Sequence, residues 1–266
     1  MSAASLCYEF CARTDTGRVR TNNEDAVGVD AQAQLVVLAD GMGGYNAGEV
    51  ASSMAVKFIR DEMAPWLAQA GPKLKSIELR HAMELCVDNA NQAILGASES
   101  NPQYAGMGTT LVVAVFQGPR LMLGHVGDSR CYRLREGVLE QITRDHSWLQ
   151  EQVDAGVITQ QQAAVSTSRN LVTRALGVEE LVLLEVNEFD VCADDVYLLC
   201  SDGLSEMVGD ADIAALLALR TSLEEKAERL VDAANSNGGR DNISVILVKA
   251  SLGARKQGLI SRLLRV

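Results

Sequence analysis

No run in this sequence approaches the ~18 consecutive apolar residues that a membrane-spanning helix needs, although 47% of its 266 residues are hydrophobic. Basic side chains are scarce: 24 Lys and Arg stand against 35 Asp and Glu, a net charge of −11. That deficit argues against general binding to nucleic acid or to an anionic membrane through bulk electrostatics. It leaves room for an anionic substrate, because a metal ion can invert the local field. The six cysteines, Cys7, Cys11, Cys86, Cys131, Cys192 and Cys200, contain no C-x-x-C pair. Cys131, Cys192 and Cys200 lie in or beside apolar strand-like runs, so reduced thiols in a cytoplasmic protein are expected rather than a zinc site or a disulfide framework. The opening MSAASLCYEFCAR lacks a basic and then an apolar region, so no secretory signal is expected. There is no internal repeat of solenoid period and no low-complexity linker.

What is present is enough apolar residue to bury a full core. Strand-like segments are Tyr8–Arg13, Asp25–Asp30 and Leu35–Asp40. Helical apolar spacing runs over Ala47–Met63 and Ser76–Ala97, followed by a Pro/Gly loop from Asn101 to Gly108. Further strands are read at Thr109–Phe116, Arg120–His125, Arg130–Arg135 and Val138–Gln141. A polar stretch, Asp145–Gly177, carries short helical pieces. Strands return at Leu181–Phe189 and Asp195–Cys200, then helices at Ala211–Leu219 and Ser222–Asn235, and a last strand at Asn242–Val248. Runs of strands broken by helix pairs point to an α+β, mostly antiparallel arrangement rather than a doubly wound parallel sheet. The tail Ala254–Val266 has four basic residues and no acidic one, with Leu259-Ile260 and Leu263-Leu264 at helical spacing. It reads equally as a short amphipathic helix or a frayed, solubilising terminus.

Three of the apolar runs end on a carboxylate: LVVLAD at Asp40, LMLGHVGD at Asp128 and VYLLCSD at Asp202, while Asp241 opens the run in GGRDNISVILV. A single Asp before Gly is commonly a turn residue. Four such sites call for a joint explanation. Two like charges ~5 Å apart at an effective dielectric of ~20 repel by on the order of 3 kcal/mol. A convergent set must therefore hold protons or a cation. All-oxygen ligation selects Mg²⁺ or Mn²⁺ over zinc.

The loop Gly41-Met42-Gly43-Gly44 after Asp40 matches neither a phosphate-cradling G-x-x-x-x-G-K-[ST] loop nor the dinucleotide pattern G-x-G-x-x-G. Its glycines let the backbone come close to a metal, so the Gly41 carbonyl is a candidate ligand beside the carboxylate. Upstream, RTNNED offers Arg20, whose planar fork suits a phosphate dianion, with Glu24 and Asp25 entering a strand. From those six residues alone, a solvated charged turn is the simpler reading.

RTNNEDAVGV, LVVLADGMGG, GMGTTLVVAV, HVGDSRCYRL, TRDHS, LVTRALG, YLLCSDGL and GGRDNISVILV follow one another across residues 20–248. This ordered set resembles the metal-dependent Ser/Thr protein phosphatases of the protein phosphatase 2C family, the bacterial branch most closely. The resemblance implies a four-layer αββα sandwich, two antiparallel sheets flanked by helix pairs. It implies a catalytic domain over residues 1–250, a flap within 145–177 and a basic tail over 251–266. Carried over motif by motif, Asp40 bridges two Mn²⁺ or Mg²⁺ ions and the Gly41 carbonyl holds one of them. Asp202 and Asp241 hold the other, and Glu24 approaches largely through water. Arg20 grips the substrate phosphate, Asp128 of GDSR serves a weaker third ion, and Asp25 and Asn242 support the ligands. The implied reaction is hydrolysis of phosphoserine and phosphothreonine in proteins by direct attack of a water bridging the two metals. Phosphorylated proteins, and a cognate Ser/Thr kinase with its targets, are the expected partners.

Met42 stands where some eukaryotic relatives have a histidine assigned as general acid. A water at the third metal is the substitute donor in this reading, with His125 and His146 ranked below it as structural or supporting residues. Two other functions fit the same fold: a metallo-hydrolase of small phosphate esters and a non-catalytic sensor module. Retention of Asp40, Asp202 and Asp241 weighs against the sensor.

Overall fold

The computed structural model of the chain describes residues 6–44, 47–71, 74–164, 166 and 171–253. Its strands are β1 (Leu6–Asp15), β2 (Asp25–Asp30), β3 (Leu35–Met42), β4 (Gly108–Thr109), β5 (Leu111–Gln117), β6 (Arg120–Val126), β7 (Arg130–Arg135), β8 (Val138–Gln141), β9 (Glu185–Asp190), β10 (Val196–Cys200) and β11 (Ile243–Leu252). Its helices are α1 (Ala47–Ala70), α2 (Ser76–Ser100), α3 (Trp148–Asp154), α4 (Gln160–Ala164), α5 (Asp202–Ser205), α6 (Asp210–Leu217) and α7 (Leu223–Ser236). All strand pairings are antiparallel. One sheet runs β1-β11-β10-β7-β8; the other runs β2-β3-β5-β6-β9, with β4 added beside β3.

The unbroken apolar run of β3 explains the layering. Leu35, Val37 and Ala39 join a core with Ile59 and Met63 of α1 and Met83 and Ile94 of α2. Val36 and Leu38 point the other way, into a core between the sheets with Val112, Tyr197, Leu199 and Ile246. A strand buried on both faces reads as continuous apolar sequence rather than alternation. On the far side, Leu198 and Leu247 pack against Ile213 and Leu217 of α6 and Leu230 of α7. The result is helices, sheet, sheet, helices, the αββα sandwich expected from the sequence.

Several boundaries differ from the sequence expectation. Helix α1 does not stop at Met63 but continues through Pro65 to Ala70. Proline forfeits one backbone hydrogen bond there, while Leu67 beyond it still enters the core. The run expected from Thr109 to Phe116 is split, because Thr109 pairs with Gly41 whereas Leu111 pairs with Val126. The strand expected from Leu181 begins only at Glu185. All six cysteines are free thiols; Cys86, Cys131 and Cys200 are buried, whereas Cys192 lies exposed ahead of β10. No helix among the described residues is long and apolar enough to cross a membrane. The tail 254–266, with its candidate amphipathic helix, lies outside the described residues.

Candidate metal centre

The site grows from two pairs of neighbouring strands. In the register of β2 with β3, Asp25 stands opposite Asp40. In the other sheet, β10 lies beside β11, so Asp202, just after β10, meets Asp241, just before β11. The glycines after the aspartates make these approaches possible. A Cβ on Gly41 would lie 2.1 Å from the carbonyl oxygen of Gly48 in α1, and one on Gly203 would lie 2.0 Å from that of Asn242. Any side chain at either place would push apart the segments that bring the carboxylates together.

A cavity of about 220 Å³ is lined by Arg20, Glu24, Asp40, Gly41, Asp128, Asp202 and Asp241, together with Met42, Gly43, Thr110 and Val172. Arg20 sits at its edge, more than half exposed, with Nη2 donating to Asp241 Oδ2 at 2.6 Å. Asn242 does more than support Asp241 through its backbone N–H, which donates to Asp241 Oδ1 at 2.8 Å. Its side-chain oxygen accepts from the Glu24 N–H at 2.7 Å, and its amide donates to the carbonyls of Thr16 and Asn22. One side chain thus ties the loop bearing Arg20 and Glu24 to the start of β11. The Glu24 carbonyl accepts from the Gly41 N–H at 3.1 Å and from the Ser52 hydroxyl of α1.

Other residues hold Asp40 in place without marking themselves in the sequence. Thr110 accepts from the Asp40 N–H at 3.0 Å and donates its own N–H to the Asp40 carbonyl at 2.9 Å. The Thr109 hydroxyl donates to that same carbonyl at 2.9 Å. Ser201 donates to Asp25 Oδ2 at 2.8 Å and accepts from the Ser244 N–H at 3.0 Å.

The electrostatics are those of carboxylates crowded together away from water. Burial, then the charges of Asp25, Asp202, Asp128 and Asp241, holds Asp40 well above the ordinary carboxylate range. Burial, then Asp128, Glu206 and Asp241, does the same to Asp202. Asp25 and Asp128 are each pushed up to about 6, chiefly by burial. Glu24 is also raised, again mainly by burial. The second oxygen of Asp25, Oδ1, is buried and has no hydrogen-bond partner among the described residues. An orphaned carboxylate oxygen among mutually repelling carboxylates fits a bound hard cation. Asp40, Gly41, Asp202 and Asp241, with Glu24 and Asp128, line the one cavity and offer the oxygen atoms that could hold it.

The histidines serve the frame. His125 and His146 stack with ring centroids 4.7 Å apart. His125 Nε2 meets the Arg144 carbonyl at 2.8 Å. His146 Nδ1 accepts from the Gly127 N–H at 3.1 Å, and the His146 N–H donates to the Gly127 carbonyl at 2.9 Å. Together these bonds fix the turn that carries Asp128. With Nδ1 an acceptor, the tautomer inferred from the network puts the proton of His146 on Nε2, facing Glu185 at 3.4 Å. Burial, followed by the charges of His125 and Arg174, lowers the His146 pKa to about 4. His125, His146 and Glu185 place potential ligand atoms within 4.8 Å of one another. Coordination through His146 Nε2 would displace its proton while Nδ1 still faces an N–H donor, so the hydrogen-bonded reading is preferred. Arg130 of GDSR forms a clamp with Asp145 of TRDHS, Nε to Oδ1 at 3.0 Å and Nη2 to Oδ2 at 2.7 Å. Within the polar stretch 145–177, Ser147 bridges Val172, which reaches the cavity wall.

Known proteins resemble this chain in sequence and in fold. A family profile described as protein phosphatase 2C matches residues 16–247. The serine/threonine phosphatase stp of Listeria innocua is 40% identical over 244 residues, covering 90% of this chain and 95% of its own. The crystal structure of the Mycobacterium tuberculosis serine/threonine phosphatase PstP/Ppp superposes with a TM-score of 0.84 at 40% identity, covering 93% of this chain and 99% of that one. The PstP catalytic domain crystallised with two manganese ions matches with a TM-score of 0.80 at 40% identity, covering 92% and 99%.

Proposed function

The chain belongs to the protein phosphatase 2C family, and from that premise we propose that it removes phosphate from phosphoserine and phosphothreonine in proteins at a binuclear Mn²⁺ or Mg²⁺ centre. The observation that carries this reading is the meeting of Asp40, Asp128, Asp202 and Asp241 in one cavity with Arg20 at its edge. The two manganese ions of the PstP catalytic domain support it. When bound, the cation pair supplies an activated water and neutralises charge on the transferring phosphoryl group.

In this reading the chain's own residues divide the remaining work. Asp40, the Gly41 carbonyl, Asp202 and Asp241 would hold the cation pair, with Asp40 shared between the two ions. Asp25 and Asn242 keep these ligands in place. Arg20 retains N–H donors beyond the one given to Asp241 and turns them to the phosphate oxygens. Asp128, on the flank of the cavity, would hold a third, weaker cation. The proton for the departing serine or threonine oxygen would come from a water on that flank, since Met42 cannot supply one and His146, with Nδ1 facing the Gly127 N–H, stays a neutral imidazole. We place the enzyme in the cytoplasm, acting on phosphoproteins made by a Ser/Thr kinase. Residues 1–250 form its catalytic domain, with the flap in 145–177.

The test is hydrolysis of a phosphothreonine peptide by metal-stripped protein. Activity is expected to vanish in excess chelator and to return with Mn²⁺ or Mg²⁺, and zinc is expected to be a poor substitute for an all-oxygen site. Undiminished turnover in chelator after dialysis would rule the reading out.

A further inference from the structure

Next to the carboxylate cavity lies a second one of about 350 Å³ that shares Met42 and Val172 with it. Its other wall is built from residues 173–183. Along this wall the side chains alternate. Val182 and Leu184 turn inward against the core of α1, α2 and their sheet, while Leu181 and Leu183 turn outward and are 84% and 73% exposed. Val178 beside them is 56% exposed. Pairing with β6 begins only at Glu185, so these outward aliphatics are not one face of a covered strand.

The backbone leading into them, residues 176–180, is pinned. Asn91 of α2 is 1% exposed; its Oδ1 accepts from the Gly177 N–H at 2.7 Å and its Nδ2 donates to the Glu179 carbonyl at 2.9 Å. Leu176 exchanges two backbone hydrogen bonds with Thr109, at 2.9 and 3.1 Å, and Thr109 is paired to Gly41 of the metal loop. Neighbouring large aliphatic side chains, set directly after an anchored segment and left in water, mark a recognition surface. Fixing the backbone beforehand lowers the ordering cost of binding.

We propose that this shelf receives an aliphatic side chain adjacent to the phosphorylated residue of the substrate chain. The inference rests on the protein-phosphatase reading above and deepens it. The occupant follows from continuity: with the phosphate held among Arg20 and the carboxylates, the substrate chain leaving that cavity past Met42 and Val172 crosses the shelf. At ~3.3 Å per extended residue, the side chain concerned is roughly one to three positions from the phosphoresidue. The opposite flank differs in charge: its cavity also includes Leu149 and Val153, but Asp128, Asp145, Asp202, Glu206 and Asp210 line it with them, which disfavours an aliphatic occupant.

Two phosphothreonine peptides of equal length, with leucine or with glutamine at the positions flanking the phosphoresidue, provide the test. The wild-type protein with Mn²⁺ is expected to favour the leucine peptide by about tenfold in kcat/KM, mainly through KM, the discrimination typical of an apolar pocket. In Leu181→Ser, Leu183→Ser and the double variant, the preference is expected to fall towards unity with thermal unfolding unchanged. Equal use of the two peptides by the wild type, or a preference that survives in the double variant, overturns the shelf and leaves the phosphatase reading standing. Cleavage of para-nitrophenyl phosphate but of neither peptide defeats the protein-phosphatase reading and the shelf with it. A concentration-dependent dimer in sedimentation, abolished in the double variant, would instead make the shelf a contact between copies and overturn the proposal.

Discussion

At the scale of single residues, Asp128 differs from the other cavity carboxylates in what it is expected to do. It follows β6 in a turn fixed by His146, and Asp145 and Glu206 add their repulsion to the burial that pushes it up to about 6. If the proton for the leaving oxygen enters from its flank, loss of Asp128 should matter in proportion to how badly the leaving group needs that proton. An alkoxide needs it; para-nitrophenolate hardly does. Asp128→Ala is therefore expected to lose on the order of 10²-fold in kcat on a phosphothreonine peptide and far less on para-nitrophenyl phosphate. Equal losses on both substrates in a folded variant would remove Asp128 from that role. The sequence made Asp40, Asp128, Asp202 and Asp241 visible because a carboxylate bounding a buried strand conflicts with its surroundings. It could not reveal Thr109, Thr110 or Ser201, whose hydroxyls serve a backbone group or a carboxylate brought near only by folding. Asn242 was anticipated as a support, but its hold on Thr16, Asn22 and Glu24 depends on contacts more than 200 positions apart in the chain.

At the scale of elements, the segment 176–180 shows how irregular backbone is made rigid. It depends on Asn91 reaching from α2 to Gly177, Glu179 and Glu180. Asn91→Ala leaves the Gly177 N–H and the Glu179 carbonyl without that partner, at a cost of about 1–3 kcal/mol for each polar group that stays buried. A fall in melting temperature of about 5 °C is expected, from roughly 2–4 °C per kcal/mol in a chain of this size. An unchanged unfolding midpoint would mean that water replaces Asn91 without loss. Periodicity could not reveal this strap, because a buried asparagine within an amphipathic helix has no sequence signature. Similar tertiary effects account for the misplaced boundaries. Apolar spacing reads as helix only to Met63, yet α1 crosses Pro65 with Leu67 in the core. The run at Leu181 reads as strand, yet pairing with β6 starts at Glu185.

At the scale of the whole molecule, apolar patterning indicated antiparallel sheets with helix pairs, but the stacking of four layers came from the ordered motifs and not from periodicity. Strands buried on both faces, such as β3, carry no alternation that says which side faces a helix and which faces the other sheet. The same layering concentrates charge at one end of the sandwich, and this gives the molecule a predictable response to pH. Asp25 and Asp128 titrate at about 6 in the folded protein and at about 4 when unfolded. A carboxyl whose folded pKa is raised contributes stability below its unfolded value and loses it as pH climbs through the folded value. Without metal, these carboxyls should therefore lower stability between about pH 4 and pH 6, with Asp40 and Asp202 displaced in the same direction, and they outweigh the opposing gain over about pH 4 to 6.5 from His146, whose folded pKa of about 4 lies below its unfolded value. Carboxyls held low, such as Asp195 against Arg135 and Asp15 against Asn235, lose their contribution only as pH falls below about 4, outside this window. Cations bind the ionised carboxylates, so they should stabilise most where the metal-free protein is weakest. In chelator, the melting temperature is expected to fall by on the order of 5 °C from pH 5 to pH 7. Saturating Mn²⁺ should raise it at both values and by more at pH 7. A metal-induced shift that is the same at both pH values, or larger at pH 5, would mean that the repulsion among these carboxylates is not what the cation relieves.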